Sequence, residues 1–403
     1  MKICGITVEY NPFHNGHLYQ IARTRELLGA DTAIVCCMSG DFIQRGEAAI
    51  MNKSLRAEAA VRCGADLVLS LPLRYSLSSA QGFADGAVHI LTMAGARYIS
   101  FGAEDEDTAK LLEIANLILE KSVIEGTIKN MQEGLSFALA RERELFKRIK
   151  ERSAIISKPN NILGVEYIRA VIEQNAGMEP IAIPRAGSVH DGDMALDGIA
   201  SASYLRKAIR AGNTSELGQY MPKQSLDILL KANDEGLVMA DISRLDCAIT
   251  AVLSRQKIED IASLPDASEG IEYRLASAIE KGRTFDEICD LAKTKRYAHS
   301  RIRRMLYCAF LGIEARGRTL PTFTRVLAFN NKGREVLSAI EDREGFAFIT
   351  KPASAKKLPH DSLAEFELEA RAASAYDMAL PGFMNLQKGR EWTKGPVYVR
   401  RQE

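Results

Sequence analysis

The sequence contains no apolar run approaching the ~20 residues that a membrane-spanning helix requires, so a helical membrane protein is not expected. No charged segment followed by an apolar core opens the chain, and a secretory leader is not expected either. Its seven cysteines, Cys4, Cys36, Cys37, Cys63, Cys247, Cys289 and Cys308, form no Cys-x-x-Cys pair and are odd in number. That spacing supports neither a disulfide framework nor a zinc cluster. The strand-like neighbours of Cys4, Cys36 and Cys37 favour buried thiols in a reducing compartment, so a cytoplasmic protein is expected. Neither sign of charge dominates, with 53 Lys and Arg against 52 Asp and Glu. Any nucleic-acid surface must therefore come from local clustering. There is no Gly-x-x-x-x-Gly-Lys-Ser/Thr run, which excludes a P-loop, and no Gly-x-Gly-x-x-Gly follows the first strand. Internal repeats and low-complexity tracts are missing as well.

What is present is an alternation of strand and helix patterns from the start. Residues 2–8 are apolar on both faces, as a parallel strand covered by helices would be. A helix is expected over 18–28 and a second strand over 31–38. Further helices are expected over 53–63 and 82–93, with strands over 65–72 and 98–103. This order predicts an α/β fold: a Rossmann-like, doubly wound parallel sheet. Its ligand should sit beyond the carboxyl ends of the strands. Residues 107–150 read as helical, 162–173 as a helix, 179–184 as a short strand and 185–198 as a loop. Ser201 should cap a helix reaching about residue 211. Residues 214–312 are helical in pattern throughout. At 403 residues the chain exceeds a comfortable single core. Three regions are expected: an α/β domain over 1–212, a helical domain over 213–318, and a small α+β tail over 319–403.

The stretch Glu9-Tyr10-Asn11-Pro12-Phe13-His14-Asn15-Gly16-His17 lies between the first strand and its helix. The first N–H groups of that helix should be free, and its dipole favours an anion there. His14 and His17 add donors, and Gly16 between them leaves room for close approach. Such donors can stabilise the charge that builds on a triphosphate attacked at its α-phosphorus. Arg45, after the second strand, suits a bidentate phosphate contact or an ordinary surface loop. Lys53 and Arg56 share one helical turn and read equally well as a solvated face or as ligand contacts. Gly102 ends the fourth strand, where backbone could approach a nucleoside. Asn160 and Asn161 could simply cap a helix, and Arg185 could be an ordinary surface arginine. Lys293, Lys295, Arg296, Arg301, Arg303 and Arg304 put six cations into twelve residues, interleaved with Tyr297. Such a run suits phosphates and unpaired bases, or a solvated helix face.

Gly5-Ile6-Thr7-Val8-Glu9-Tyr10-Asn11-Pro12-Phe13-His14-Asn15-Gly16-His17 resembles the first block of the bacterial tRNA(Met) cytidine acetate ligase family. That family belongs to the nucleotidyltransferase superfamily bearing the His-x-Gly-His signature. Further blocks match in order: 39–47, 64–72, Pro159-Asn160-Asn161-Ile162-Leu163-Gly164, Ser201-Ala202-Ser203 with Arg206, and 295–304. Two positions depart from the pattern, Ser70 where a Glu is expected and Ser203 where a Thr is expected. The resemblance implies an ATP-dependent ligase that activates acetate as acetyl-adenylate. The acetyl group then passes to N4 of the wobble cytidine in elongator tRNA(Met), with AMP and pyrophosphate released. It implies ATP contacts at Thr7, Val8, Glu9, Tyr10, Asn11, Pro12, Phe13, His14, Asn15, Gly16, His17, Gly102, Asn160, Asn161 and Arg185. Catalysis falls to His14, His17 and Arg45, and tRNA binding to Lys293, Lys295, Arg296, Tyr297, Arg301, Arg303 and Arg304. Mg2+ is expected with the triphosphate on general grounds, with no protein metal site. Two alternatives stay open: a nucleotidyltransferase acting on a small phosphorylated substrate, and a non-catalytic RNA-binding factor with a degenerate nucleotide fold.

Overall fold

The computed structural model describes residues 1–185, 198–317, 319–340 and 343–400. Most of the loop expected over 185–198 lies outside them, as does His190. Ten strands are formed among the described residues. They are β1 (Ile3–Val8), β2 (Ala33–Ser39), β3 (Phe42–Ile43), β4 (Glu47–Ala48), β5 (Leu67–Leu71), β6 (Tyr98–Ala103), β7 (Glu179–Pro184), β8 (Phe323–Phe329), β9 (Ala347–Ile349) and β10 (Val397–Tyr398).

Strands β5, β2, β1, β6 and β7 run side by side and parallel, in that order. Their residues are apolar on both faces because helices cover both. Cys4, Ile6, Cys36, Met38 and Val68 share one core with Ile21, Ala57, Ala60 and Val61. Ile3, Val35, Cys37, Leu67 and Leu69 face the other way, onto Ala84, Val88 and Leu91 of helix Ala80–Met93 and Val165 and Ile168 of helix Pro159–Glu173. From β1 the chain winds outward through β2 to β5, then crosses back to β6 and β7. The winding reverses between β1 and β6, and the carboxyl ends of those two strands open the crevice where such sheets take ligands.

The last fifth of the chain does not form a tail of its own, as its sequence pattern suggested. β8 pairs antiparallel with β5, and β9 and β10 pair with β8, so residues after 319 complete the first sheet. The expected boundary at 212/213 also falls inside a shared core. Ile50 and Met51 pack with Leu205, Ile209, Leu217, Met221 and Leu229. The helical region itself is formed as expected. Helices Ile271–Lys281, Phe285–Ala292 and His299–Leu311 bury Leu275, Ile288, Ile302 and Met305. That core continues into Phe42, Leu73 and Leu77 and into Leu368, Ala372 and Tyr376 of helix His360–Met378. Among the described residues no helix is long and apolar enough to cross a membrane.

Candidate active site

Residues 9–17 lie at the reversal point, and nearly every group in them is pinned. The Asn11 Oδ1 accepts the Ile50 N–H at 2.7 Å, and the Ser225 hydroxyl donates to the Phe13 carbonyl at 3.0 Å. Asn15 turns its amide to the carbonyls of Gly198 and Gln219, at 2.8 and 3.0 Å. Tyr10, held at a left-handed φ of 47°, and Phe13 are buried, and their rings lie 4.8 and 5.5 Å from that of His17.

The two histidines cap helix Asn15–Leu28 reciprocally. The His14 Nδ1 accepts the Gly16 N–H at 3.1 Å, and the His14 N–H donates to the His17 Nδ1 at 3.2 Å. Imidazoles thus replace the hydroxyl and carboxylate of the usual capping box. The rings stack with centroids 3.7 Å apart. Because each Nδ1 accepts, a neutral ring must carry its proton on Nε2. Burial pushes the His14 pKa down to about 3, with Arg185 and Arg206 adding to it. Burial, then the neighbouring His14 and Arg185, holds His17 well below its ordinary value. Two stacked imidazoliums beside arginines would repel, so the site presents two neutral Nε2–H donors. The helix N–H groups, expected to be free, are occupied. The Asn15 N–H donates to the Tyr220 carbonyl, and the His17 N–H to the His14 carbonyl, both at 2.9 Å. An anion here is met by imidazole N–H and helix dipole, with the first-turn amides already used. A Cβ on Gly16 would lie 3.0 Å from the His14 ring, so any larger residue would have to push the ring aside.

Arginines surround the pair. Arg206, on helix Ala202–Arg210, donates to the Asn11 carbonyl at 3.0 Å and faces Glu47 at 3.5 Å. Arg185 follows β7 with its side chain exposed and its stem over Gly102. Arg45 is the exposed tip of the β3–β4 hairpin and pairs with no carboxylate among the described residues. Glu9 accepts the Gln44 N–H at 2.9 Å, and burial raises its pKa against the pull of that N–H and of Arg45, Arg56 and Arg206.

Asn160 and Asn161 face a carboxylate. The Glu104 Oε2 accepts the Asn161 N–H at 3.0 Å, and Glu104 Oε1 accepts the Asn160 side-chain amide at 2.5 Å. The Asn161 Oδ1 in turn accepts the N–H groups of Glu104 and Asp105. Glu104 thus occupies the N-terminus of helix Pro159–Glu173 and fixes the loop after β6. Nothing in the sequence singled out Glu104.

Lys53 and Arg56 are buried, contrary to a solvated face. Arg56 donates to the carbonyls of Glu9, Ser39, Gly40 and Met51, tying together the ends of β1 and β2. Lys53 reaches Glu391 at 3.0 Å and Glu369 at 3.4 Å. Arg390 bridges Asp41 at 2.7 Å and Asp377 at 2.8 Å, and Arg325 pairs with Glu391. Burial alone would raise these acids. Arg390, Lys53 and Arg56 nevertheless hold Asp41 down at about 2, and Lys53, Arg325 and Arg390 hold Glu391 below its ordinary value.

The basic run divides. Lys293 and Lys295 are exposed and Arg296 is half-buried, while Tyr297 and Arg304 are buried. Tyr297 donates its hydroxyl to the Glu269 carbonyl at 2.5 Å. Arg301 pairs with Glu269, Arg303 with Asp286 and Arg304 with Asp266, each within 3.0 Å. The run was expected to face RNA along its length, but its last three arginines and Tyr297 are engaged within the protein.

Residues 1–391 match the HIGH Nucleotidyl Transferase family. The tRNA(Met) cytidine acetate ligase of Acetivibrio thermocellus is 35% identical over 419 residues, spanning 99% of this chain and 100% of that protein. The enzyme of the same name from Caldicellulosiruptor bescii is 36% identical over 412 residues, spanning 99% of each. Two crystal structures of Thermotoga maritima TmcAL cover 100% of both chains at 28% identity. The apo form superposes with a TM-score of 0.92, and the form bound with alpha-thio ATP with 0.91.

Proposed function

This chain belongs to the HIGH Nucleotidyl Transferase family and, within it, to the tRNA(Met) cytidine acetate ligases, and we propose that its crevice turns ATP and acetate into an acetyl-adenylate. An acetate oxygen attacks the α-phosphorus and pyrophosphate leaves. The exocyclic N4 of the wobble cytidine in elongator tRNA(Met) then attacks the acetyl carbon. The N4–C bond forms, the C–O bond to AMP breaks, AMP departs with the electron pair, and N4 releases one proton to solvent. The observation that carries this reading is the stacked, neutral His14–His17 pair at the point where the sheet's winding reverses.

In the first step negative charge shifts onto oxygens of the α-phosphate. The two Nε2–H donors are held in place before ATP arrives, so little reorganisation accompanies charge build-up. Arg45, Arg185 and Arg206 supply the positive field for a triphosphate. Thr7 to Phe13, Asn15 and Gly16 build the cradle by backbone shape, and Asn160 and Asn161 act through the loop after β6, beside Gly102. No protein nucleophile is required, and the rate comes from positioning and charge stabilisation. Among the described residues no cluster of three or more His, Cys, Asp or Glu side chains could hold a metal. The donors at the crevice are imidazole and guanidinium, a poor set for Mg2+. Magnesium therefore fits as a companion of the triphosphate, and no step here runs through protein-bound metal.

Lys293 and Lys295 are the members of the basic run most open to an RNA backbone, with half-buried Arg296, 3.7 Å from Glu269, beside them. Acetate as the acetyl source, the anticodon region as the docking point and a cytoplasmic location complete the proposal. Its test is incubation with ATP, labelled acetate and tRNA(Met), beside a transcript whose wobble cytidine is replaced by uridine. Label should enter the first RNA only, because uridine has no exocyclic amine. Equal labelling of both, or of neither, contradicts the assignment.

A further inference from the structure

The six cations of residues 293–304 suggest an RNA-binding stripe, yet its last two arginines also contact the hairpin that carries Arg45. Arg303 Nε donates to the Gly46 carbonyl at 2.8 Å, and Arg304 Nη1 reaches the Gln44 carbonyl at 3.4 Å. These two carbonyls flank Arg45 in the chain. Gly46 lies against the arginine helix so closely that a Cβ there would stand 2.7 Å from Arg303 Cβ and 2.9 Å from the Arg304 N. Its φ of +72° excludes most other residues in any case. From the opposite side, the Gln44 N–H is bonded to Glu9 in the nucleotide loop at 2.9 Å. Both arginines are anchored beyond the hairpin, Arg303 by Asp286 at 2.7 Å with its guanidinium over the Phe285 ring, and Arg304 by Asp266 at 3.0 Å.

We propose that Arg303 and Arg304 are positioning residues, which hold the hairpin tip so that Arg45 points over the triphosphate. They do not read RNA. This inference rests on the role given to Arg45 above. It links the helical region to the first chemical step as well as to RNA binding. A guanidinium is suited to the task. Its fork can donate to a carbonyl and a carboxylate at once, and it stays charged at every working pH.

The test is a double-mutant cycle on Arg303→Met and Arg45→Met, read by acetate-dependent pyrophosphate release and, separately, by tRNA binding at two salt concentrations. Arg303→Met should lower kcat for pyrophosphate release by up to about a hundredfold, the scale of a catalytic group misplaced by about 1 Å. Its tRNA affinity and salt slope should equal those of the wild type. The double variant should be no slower than Arg45→Met alone, because Arg303 acts through Arg45. Asp286→Asn changes an exposed carboxylate and loosens the same arginine without cutting into the core. It should give a smaller loss in the same assay. Weaker tRNA binding with a shallower salt slope and intact pyrophosphate release would make Arg303 an RNA contact and overturn the inference. Single losses that multiply in the double variant would overturn it while leaving Arg45 its role. If Arg45→Met releases pyrophosphate at the wild-type rate, the role of Arg45 falls and this inference falls with it.

Discussion

Replacing His14 or His17 by alanine should slow acetyl-adenylate formation about a hundred- to a thousandfold, the loss typical of one preorganised donor to a developing oxyanion. Most of the loss should appear in kcat, since the donors meet charge that develops in the transition state. The two rings cap one helix and stack on each other, so the double variant should lose far less than the product of the single losses. The expected confounder is the helix cap. His14→Asn separates the two roles, because an asparagine oxygen can still accept the Gly16 N–H but offers no donor at the Nε2 position. This variant should keep its melting temperature and lose its rate. A rate restored along with the cap would make His14 purely structural. The same pair sets the pH behaviour. With His14 held at about 3 and His17 also far below its ordinary 6.5, the free enzyme carries both rings neutral. The profile of kcat/KM for ATP should therefore show no histidine step between about pH 8 and about pH 5.5 beyond the titration of the ATP phosphate itself, since this parameter reports groups of the free enzyme and free substrate. A histidine inflection near 6.5 that vanishes in His14→Asn would contradict the neutral-donor account.

Lys53→Met should destabilise the fold by about 3–5 kcal/mol, the cost of removing one partner from a buried ion pair. Lys53 is 2% exposed and stands between Glu369 and Glu391, both buried. Without it, two carboxylates face each other with less countercharge. Burial already raises the Glu369 pKa, against Lys53 and the Leu73 N–H. Removing Lys53 raises it further. A folded-state pKa above the unfolded value means that the folded protein binds more protons over the interval between them. Stability then rises as pH falls through it. The deficit of Lys53→Met, read from urea unfolding, should therefore shrink between about pH 7 and about pH 5. A constant deficit would mean that Lys53 acts by packing alone. The network joins Asp41 at the end of β2 to residues 369–391, so it also holds the carboxyl-terminal region against the hairpin that bears Arg45.

The parallel sheet was legible in the sequence because buried strands are continuous apolar runs and each was bounded by Gly, Pro or polar residues. The family was legible for a different reason: Glu9 to His17 is one contiguous block, and the comparisons bear out the family it resembles. Contiguity also marks the limit. Glu9, Gln44 and Arg304 meet across the fold, and no local pattern announces such a meeting. Lys53 and Arg56 occupy an alternating helix face that reads as solvated, and only partners more than 300 residues away explain the burial of Lys53. The residues after 319 form both strands and helices, as an α+β pattern requires, but strand pairing is non-local, so their place at the edge of β5 could not be read. The arginines of 301–304 show the same limit. A basic run that neutralises RNA and one that neutralises Asp266, Glu269 and Asp286 have the same local sequence.

The central claim is that acetate, activated at the α-phosphorus of ATP, supplies the acetyl group. It is tested most directly with acetate labelled with heavy oxygen in both carboxylate positions, incubated with the protein, ATP and tRNA(Met). The attacking oxygen becomes the bridge of the acetyl-adenylate and stays with phosphorus when N4 displaces AMP. Mass spectrometry should therefore find one heavy oxygen in the AMP and one in the acetyl group on the tRNA. Acetylated tRNA accompanied by unlabelled AMP, or AMP formed at the same rate without acetate, would contradict the account.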